Sequence, residues 1–330
     1  MHPVNHIGID VSAASLSAVC RNRRDQHRSA TFNNDPAGHR KLIAWATKGD
    51  AYAQVCLEAT GVYSLDLALA LHHHPKTAVM VVNPRLIKDF AGALNQRAKT
   101  DPLDAEVILA FLERMPFQPF QPPSEEVMQL QALTRRIAQL KGILTQENNR
   151  LHADHHRQSL DAGIRQDIQL HLRYLKKQIQ YLEAQALELV QAHDQLQSTF
   201  THLISVTGIA TTSALQLMAE LLVLPGGLQP GQWVAQAGLD PRPRDSGTSI
   251  HMPRFISKTG NKYLRAALYM PALVALRYQP NVRAFYEKLV GAGKKKMQAL
   301  VAVMRKLLRC LWGMLKYQQD FDGSKFYQLT

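Results

Sequence analysis

"NHIGIDVS", residues 5–12, decides how the chain is read. Its apolar run is β-branched, so it reads as a strand, and Asp10 falls at that strand's carboxyl end. The next stretches, "LSAVCRN" and "QHRSATF", read as two further strands that open a meander. "DPAGHRKLIAWATK" then has an Asp cap, Pro at the first helical position and apolar residues at helical spacing. "AQVCLEAT" is a second buried run and ends on another acid, Glu58. A helix over "TGVYSLDLALALHHH" and a strand stopped by Asn-Pro in "KTAVMVVNP" follow, then helices near 84–94 and 102–114. Strands alternating with helices predict an α/β domain with a mixed sheet over residues 1–115.

"KTDPLDAEVI", residues 99–108, adds two more acids. Asp101 before Pro102, with Asp104 three residues on, is a good helix start, because Asp caps and Pro tolerates the first turn. The same spacing puts both carboxylates on one helix face, where a divalent cation relieves their repulsion. Asp10, Glu58, Asp101 and Asp104 are the acids expected of a ribonuclease-H-like nuclease domain, and hard oxygen ligands suit Mg²⁺. His72, His73 and His74 precede Pro75, and His152, His155 and His156 sit near a break. Both groups read as solvated helix ends rather than ligands.

"MPFQPFQPPS" has four prolines in ten residues, so 116–124 reads as a linker. Over 125–198, Leu130, Leu133, Ile137, Leu140, Leu144, Glu147 and Leu151 keep a 3-4 spacing. Ile168, Leu172, Leu175, Ile179, Leu182, Ala186 and Leu189 do the same. Two such seams with a break at "HADHHRQSLDAG" predict an antiparallel coiled-coil hairpin serving as an oligomerisation arm. Residues 199–330 read as mostly helical, loop-rich over 225–262, with helices near 261–277, 281–291 and 296–317. "LISVTGIATTSALQLMAEL" looks like a helix-hairpin-helix, whose turn would offer N–H groups to phosphate; an ordinary helical hairpin fits equally.

The net charge is +13, and it is unevenly spread. Residues 1–115 carry +2, residues 116–200 none, and residues 201–330 carry 17 basic against 6 acidic side chains. A concentrated basic field calls for a polyanion, most simply nucleic acid. Arg242, Arg244, Arg254, Lys258, Lys262, Arg265, Lys294, Lys295 and Lys296 are the candidate contacts. Cys20, Cys56 and Cys310 have no zinc spacing and read as reduced thiols. No signal peptide or membrane span is evident, so a cytoplasmic location without membrane association is expected.

Taken together, "IGIDVS", "CLEATGVY", "VVNPRLIKDFA", "KTDPLDAEVILAF", "TGIATTSALQL", "AGLDPRPRDSGTSI", "SKTGNKYLRAALYMPA" and "KKKMQALVAVMRKL" occur in an order that resembles the Piv-type DEDD transposases. These form the IS110 family of insertion-sequence recombinases, and the resemblance covers essentially the whole length. It implies a RuvC-like DEDD catalytic domain, a coiled coil and a C-terminal transposase domain. It implies an acidic tetrad at Asp10, Glu58, Asp101 and Asp104, with Mg²⁺, and a serine nucleophile at Ser246. DNA would be cut and rejoined through a covalent 5′-phosphoserine link, at a composite site drawing on acids of one subunit and the serine of another. The partners implied are donor and target DNA, an element-encoded bridge RNA that supplies sequence choice by base pairing, and further copies of the chain, as dimer or tetramer.

On local grounds alone "DSG" is a common turn, with Thr248 and Ser249 as fallback hydroxyls. Arg242, Arg244 and Arg254 flank Ser246 and suit phosphate charge. Three rival readings stay open: a RuvC-like endonuclease using a metal-activated water, a site-specific invertase of the same family, and a nucleic-acid-binding protein whose acids are structural. A sugar-kinase or actin-like ATPase also begins with such a strand, but later Gly-rich phosphate loops are missing.

Overall fold

The computed structural model describes residues 4–21, 26–94, 101–154, 162–242, 245–246, 250–251 and 255–329, with only the main chain described at 62, 101–103, 154, 245–246 and 250–251. Two compact units divide the chain, Met1–Pro122 and Pro123–Thr330.

In the first unit, β1 (Val4–Val11), β2 (Ser15–Arg21) and β3 (His27–Asn33) form the expected antiparallel meander. After α1 (Pro36–Ala46), β4 (Tyr52–Glu58) joins β1 in parallel; after α2 (Val62–His73), β5 (Thr77–Val82) joins β4 in parallel. The sheet order is β3-β2-β1-β4-β5. Side chains alternate across a strand. Ile7, Ile9, Leu57 and Val79 therefore pack with Leu42 of α1 and Leu67 and Leu71 of α2. Cys56, Met80 and Val82 point the other way, onto Ile87 of α3 (Pro84–Ala93) and Ile108 and Phe111 of α4 (Asp101–Arg114). Helices thus cover both faces, and β1 and β4 are buried on both sides.

The proline-rich stretch lies along β5. Phe120 donates its N–H to the Val79 carbonyl at 2.7 Å, and the Gln118 N–H meets the Met80 sulfur at 3.3 Å. Phe117 packs beside Phe111 and Ile87.

In the second unit, α5 (Glu125–Asp154) and α6 (Ala162–Gln191) pack antiparallel: Lys141 meets Glu183 at 2.8 Å, and Glu147 meets His171 at 3.5 Å. Their shared seam is Ile137, Leu140, Leu175 and Ile179, flanked by Leu144 and Leu182, all positions of the sequence repeats. The main core lies among α7 (Asp194–Ile204), α8 (Thr211–Leu221), α10 (Lys262–Tyr278), α11 (Pro280–Gly291), α12 (Lys296–Tyr317) and α13 (Gly323–Phe326). Among its described residues, the stretch read as loop-rich holds α9 (Pro230–Gln236) and four two-residue strands. β6 (Pro241–Arg242) pairs with β9 (Phe255–Ile256), and β7 (Asp245–Ser246) pairs with β8 (Ile250–His251). These pieces are too short to generate a periodicity.

The turn of "TGIA" is closed by the Ile209 N–H donating to the Val206 carbonyl at 2.9 Å. Gly208 has φ +103°, and a Cβ there would stand 2.6 Å from the Pro271 carbonyl oxygen of α10. One side of this turn is therefore pressed onto protein backbone. No helix among the described residues is long and apolar enough to cross a membrane.

Candidate active site

The pleat and the register bring two of the four predicted acids, Asp10 and Glu58, to one face, and the helix that carries Asp104 packs on that face. Gly8 pairs with Cys56 and Ile9 with Leu57, so the next step along these parallel strands is Asp10 beside Glu58. Neighbouring strands run about 4.8 Å apart. Asp10 shares its face with Gly8, and Glu58 shares its face with Cys56, which is the α4 side of the sheet. Both acids are half-buried.

Gly8 fixes how closely α4 approaches. A Cβ at Gly8 would lie 2.3 Å from the Ala105 carbonyl oxygen and 2.4 Å from the Leu109 nitrogen. Only a residue without a side chain admits backbone this near. The half-buried Asp104 precedes Ala105, so it enters beside the strand end that carries Asp10. α4 begins at Asp101, within a residue of the cap position expected for it. The Asp101 side chain lies outside the described residues.

The loop after Asp10 is held by side chains that sequence patterns did not single out. Asn34 donates through Nδ2 to the carbonyls of Ser12 (2.8 Å) and Tyr63 (3.0 Å). Its Oδ1 is left to accept from His39 Nε2 at 2.8 Å, which requires the Nε2-protonated ring. Burial lowers the His39 pKa, against the smaller upward pull of Asp66 and Asp35. Ser12, Asn34, His39 and Tyr63 become neighbours only once the chain has folded.

The donor chemistry fits a hard divalent cation. Carboxylate oxygens from two adjacent parallel strand ends and a helix start are what Mg²⁺ prefers. Among the described residues no three His, Cys, Asp or Glu side chains stand close enough together to hold a metal ion.

Ser246 lies in β7, paired with Ile250 of β8, and its side chain is outside the described residues, as are Arg244, Thr248, Ser249 and Arg254, and also His155 and His156. Arg242, Lys258, Lys262, Lys294, Lys295 and Lys296 are exposed. Arg265 is half-buried and donates to the Ala237 carbonyl at 2.8 Å, so part of its guanidinium holds the end of α9. Cys20, Cys56 and Cys310 are free thiols, and burial pushes Cys56 up to about 12.

Two family models match the chain. A DEDD-type IS110 model described as "Transposase" covers residues 7–155, and "Transposase IS116/IS110/IS902 family" covers 201–287. The pilin gene-inverting protein of Moraxella bovis is 30% identical over 326 residues, 96% of this chain and 97% of that protein. The chain belongs to the IS110 family of transposases. The Moraxella lacunata protein of the same name is similar to the same extent. The insertion element IS900 uncharacterized 42 kDa protein of Mycobacterium paratuberculosis is 36% identical over 108 residues, 30% of this chain and 26% of its own length. Membership makes the chain a DNA recombination enzyme. The first matched segment holds the four acids, and the second holds Ser246.

Proposed function

We propose that this recombinase cuts and rejoins DNA through Ser246, with Asp10, Glu58, Asp101 and Asp104 as a Mg²⁺-holding tetrad in a RuvC-like, ribonuclease-H-like domain. The observation that carries the reading is the register of β1 on β4, which sets Asp10 and Glu58 each one step past the Ile9–Leu57 pair, on the face that Gly8 opens to the Asp104 helix. In the forward step the Ser246 oxygen bonds to a DNA phosphorus, the 3′ oxygen leaves, and the serine proton passes to a base or to the leaving oxygen. In the reverse step a DNA 3′ hydroxyl attacks the phosphoserine and serine departs, so the phosphodiester energy is conserved. Mg²⁺ would supply charge neutralisation at the phosphate. Arg242, Arg244 and Arg254, near Ser246 in sequence, would bind the phosphates on either side.

Two further parts rest on the family resemblance: an element-encoded bridge RNA selecting donor and target DNA, and a multimer in which the acids of one protomer serve the serine of another. The α5–α6 pair is the arm proposed for that assembly. A second reading is site-specific inversion, supported by the inverting relative matched along nearly its whole length. Insertion and inversion would use the same serine chemistry.

The test is covalent trapping with element-end DNA, the element's RNA and Mg²⁺. Wild type is expected to yield a protein–DNA adduct that survives denaturant, and Ser246→Ala none. Asp104→Asn should lose the adduct while unfolding at the wild-type temperature. Mg²⁺-dependent cutting that persists in Ser246→Ala without an adduct would leave a nuclease using water. Recombination of substrates with inverted or separate sites distinguishes inversion from insertion.

A further inference from the structure

A cavity of about 630 Å³ opens in the second unit between α11, α12 and the segment leading into α13. It lies mostly beyond the 201–287 segment shared with the family model. Four cationic side chains line it, Arg305, Lys306, Arg309 and Lys325, against two carboxylates, Asp320 and Asp322.

Both carboxylates are already engaged. Asp320 accepts from His202 Nδ1 at 2.8 Å. Asp322 caps α13, accepting from the Ser324 N–H at 2.8 Å and the Ser324 hydroxyl at 2.6 Å, and these bonds hold its carboxyl below the usual range. Of the cations, Lys325 donates to Gln319 Oε1 at 2.9 Å and adds to the field on Asp322, whereas Arg305, Lys306 and Arg309 are not matched in return. Among the described residues none of the four makes an ion pair, and the buried Arg305 Nε has no hydrogen-bond partner. Lys306 sits among rings instead, its ammonium 4.3 Å from the Phe285 centroid and 5.3 Å from Phe326 and from Tyr327. Burial lowers its pKa, with smaller contributions upward from Cys310 and then downward from Lys288 and Arg309. Uncompensated charge in a concave site is what an anion would relieve.

The aromatic content selects among anions. Tyr317 lines the cavity, and 60% of its surface is exposed. A ring beside guanidinium groups suits an unpaired nucleotide, with phosphate on the cations and base on the ring. A cavity of this size is in the range that holds a small ligand, ~300–1,000 Å³. An acidic peptide would meet the charge but leave the exposed ring unused.

We propose that this cavity binds one unpaired nucleotide of a single-stranded nucleic acid, its phosphate held by Arg305, Lys306 and Arg309 and its base stacked on Tyr317. The inference rests on membership of a DNA-recombining family and not on the Ser246 chemistry. The two fail separately: one is read by strand binding and the other by the adduct.

The experiment measures fluorescence anisotropy of the full chain with a labelled oligonucleotide as single-stranded DNA, as RNA of the same sequence, and as duplex, across salt. Arg305→Gln and Arg309→Gln are each expected to flatten the single-strand salt slope by about 0.7. Tyr317→Ala should weaken single-strand binding by roughly 5- to 100-fold, leave duplex binding unchanged, and be rescued by Tyr317→Phe. Photo-crosslinking of a 5-iodouracil oligonucleotide should map to the Tyr317 peptide. Tyr317 is exposed, so its loss spares the core. Whichever of the DNA and RNA arms loses more names the source of the strand. Wild-type binding by all the variants, or equal losses for duplex and single strand, would overturn the proposal. So would displacement by a polyglutamate peptide with no dependence on Tyr317, which would assign the cavity to an acidic protein partner.

Discussion

Gly8 shows how much one missing side chain decides. It has ordinary strand conformation, so its use is room: Ala105 and Leu109 of α4 occupy the place of a Cβ. The clashing atoms are backbone, which cannot turn aside. Gly8→Ala should therefore cost about 1–3 kcal/mol, the usual penalty of overpacking. Urea unfolding followed by hydrogen exchange in β1 and α4 checks it, and adduct formation should fall as Asp104 is pushed from Asp10. His39 sets a second expectation. Its folded pKa lies below the unfolded value, so the unfolded chain binds more protons between the two. The stability it contributes is full above about pH 6.5 and is lost as pH falls through the lower folded value. His39→Gln should flatten that part of the profile. The comparison is of exchange protection in α1 at pH 7.5 and 5.5, wild type against variant.

At the scale of elements, three helices meet on one carboxylate. Glu220 of α8 is 2% exposed and accepts from Arg135 of α5 at 2.8 and 2.9 Å, and from Asn261 at the start of α10. Its hydrogen bond in turn holds the Arg135 guanidinium above its ordinary pKa. Arg135→Met would strand a buried charge and should cost about 3–5 kcal/mol. Glu220→Gln with Arg135→Met should recover part of this, which a double-mutant cycle by chemical denaturation would measure. Nothing in "MAEL" or "LTRRI" announced the pair, since its members lie 85 residues apart. The elements that were legible had their own period: the β1 run, the α5 and α6 repeats, and the Asp-Pro start of α1. Asp10 and Glu58 stood out because an acid closing an apolar run is locally odd. The β6–β9 and β7–β8 pairs, the Asn34 cluster and the Lys306 cavity were not legible, because each is made by residues whose adjacency exists only after folding.

Over the whole molecule, charge is unevenly divided along the chain. Residues 201–330 carry 17 of the chain's 39 Lys and Arg but only 6 of its 26 acids. Lys294, Lys295 and Lys296 crowd the N-terminal end of α12, where the helix dipole is itself positive and no acid stands in the first turn. That placement repels itself in the free protein and would be relieved by phosphate. Duplex affinity should therefore fall steeply with salt, each phosphate contact adding about 0.9 to the slope of log K against log salt. Replacing all three lysines by Gln should lower the slope by about 2–3 without lowering the unfolding temperature. Arg40, Lys41 and Lys48 are equally exposed in the first unit, whose net charge is near balance. Their replacement by Gln removes the same formal charge and should leave the slope unchanged. Equal losses from both triplets would mean that duplex DNA feels only the net charge of the chain, and the assignment of the basic third as the DNA-facing surface would fall.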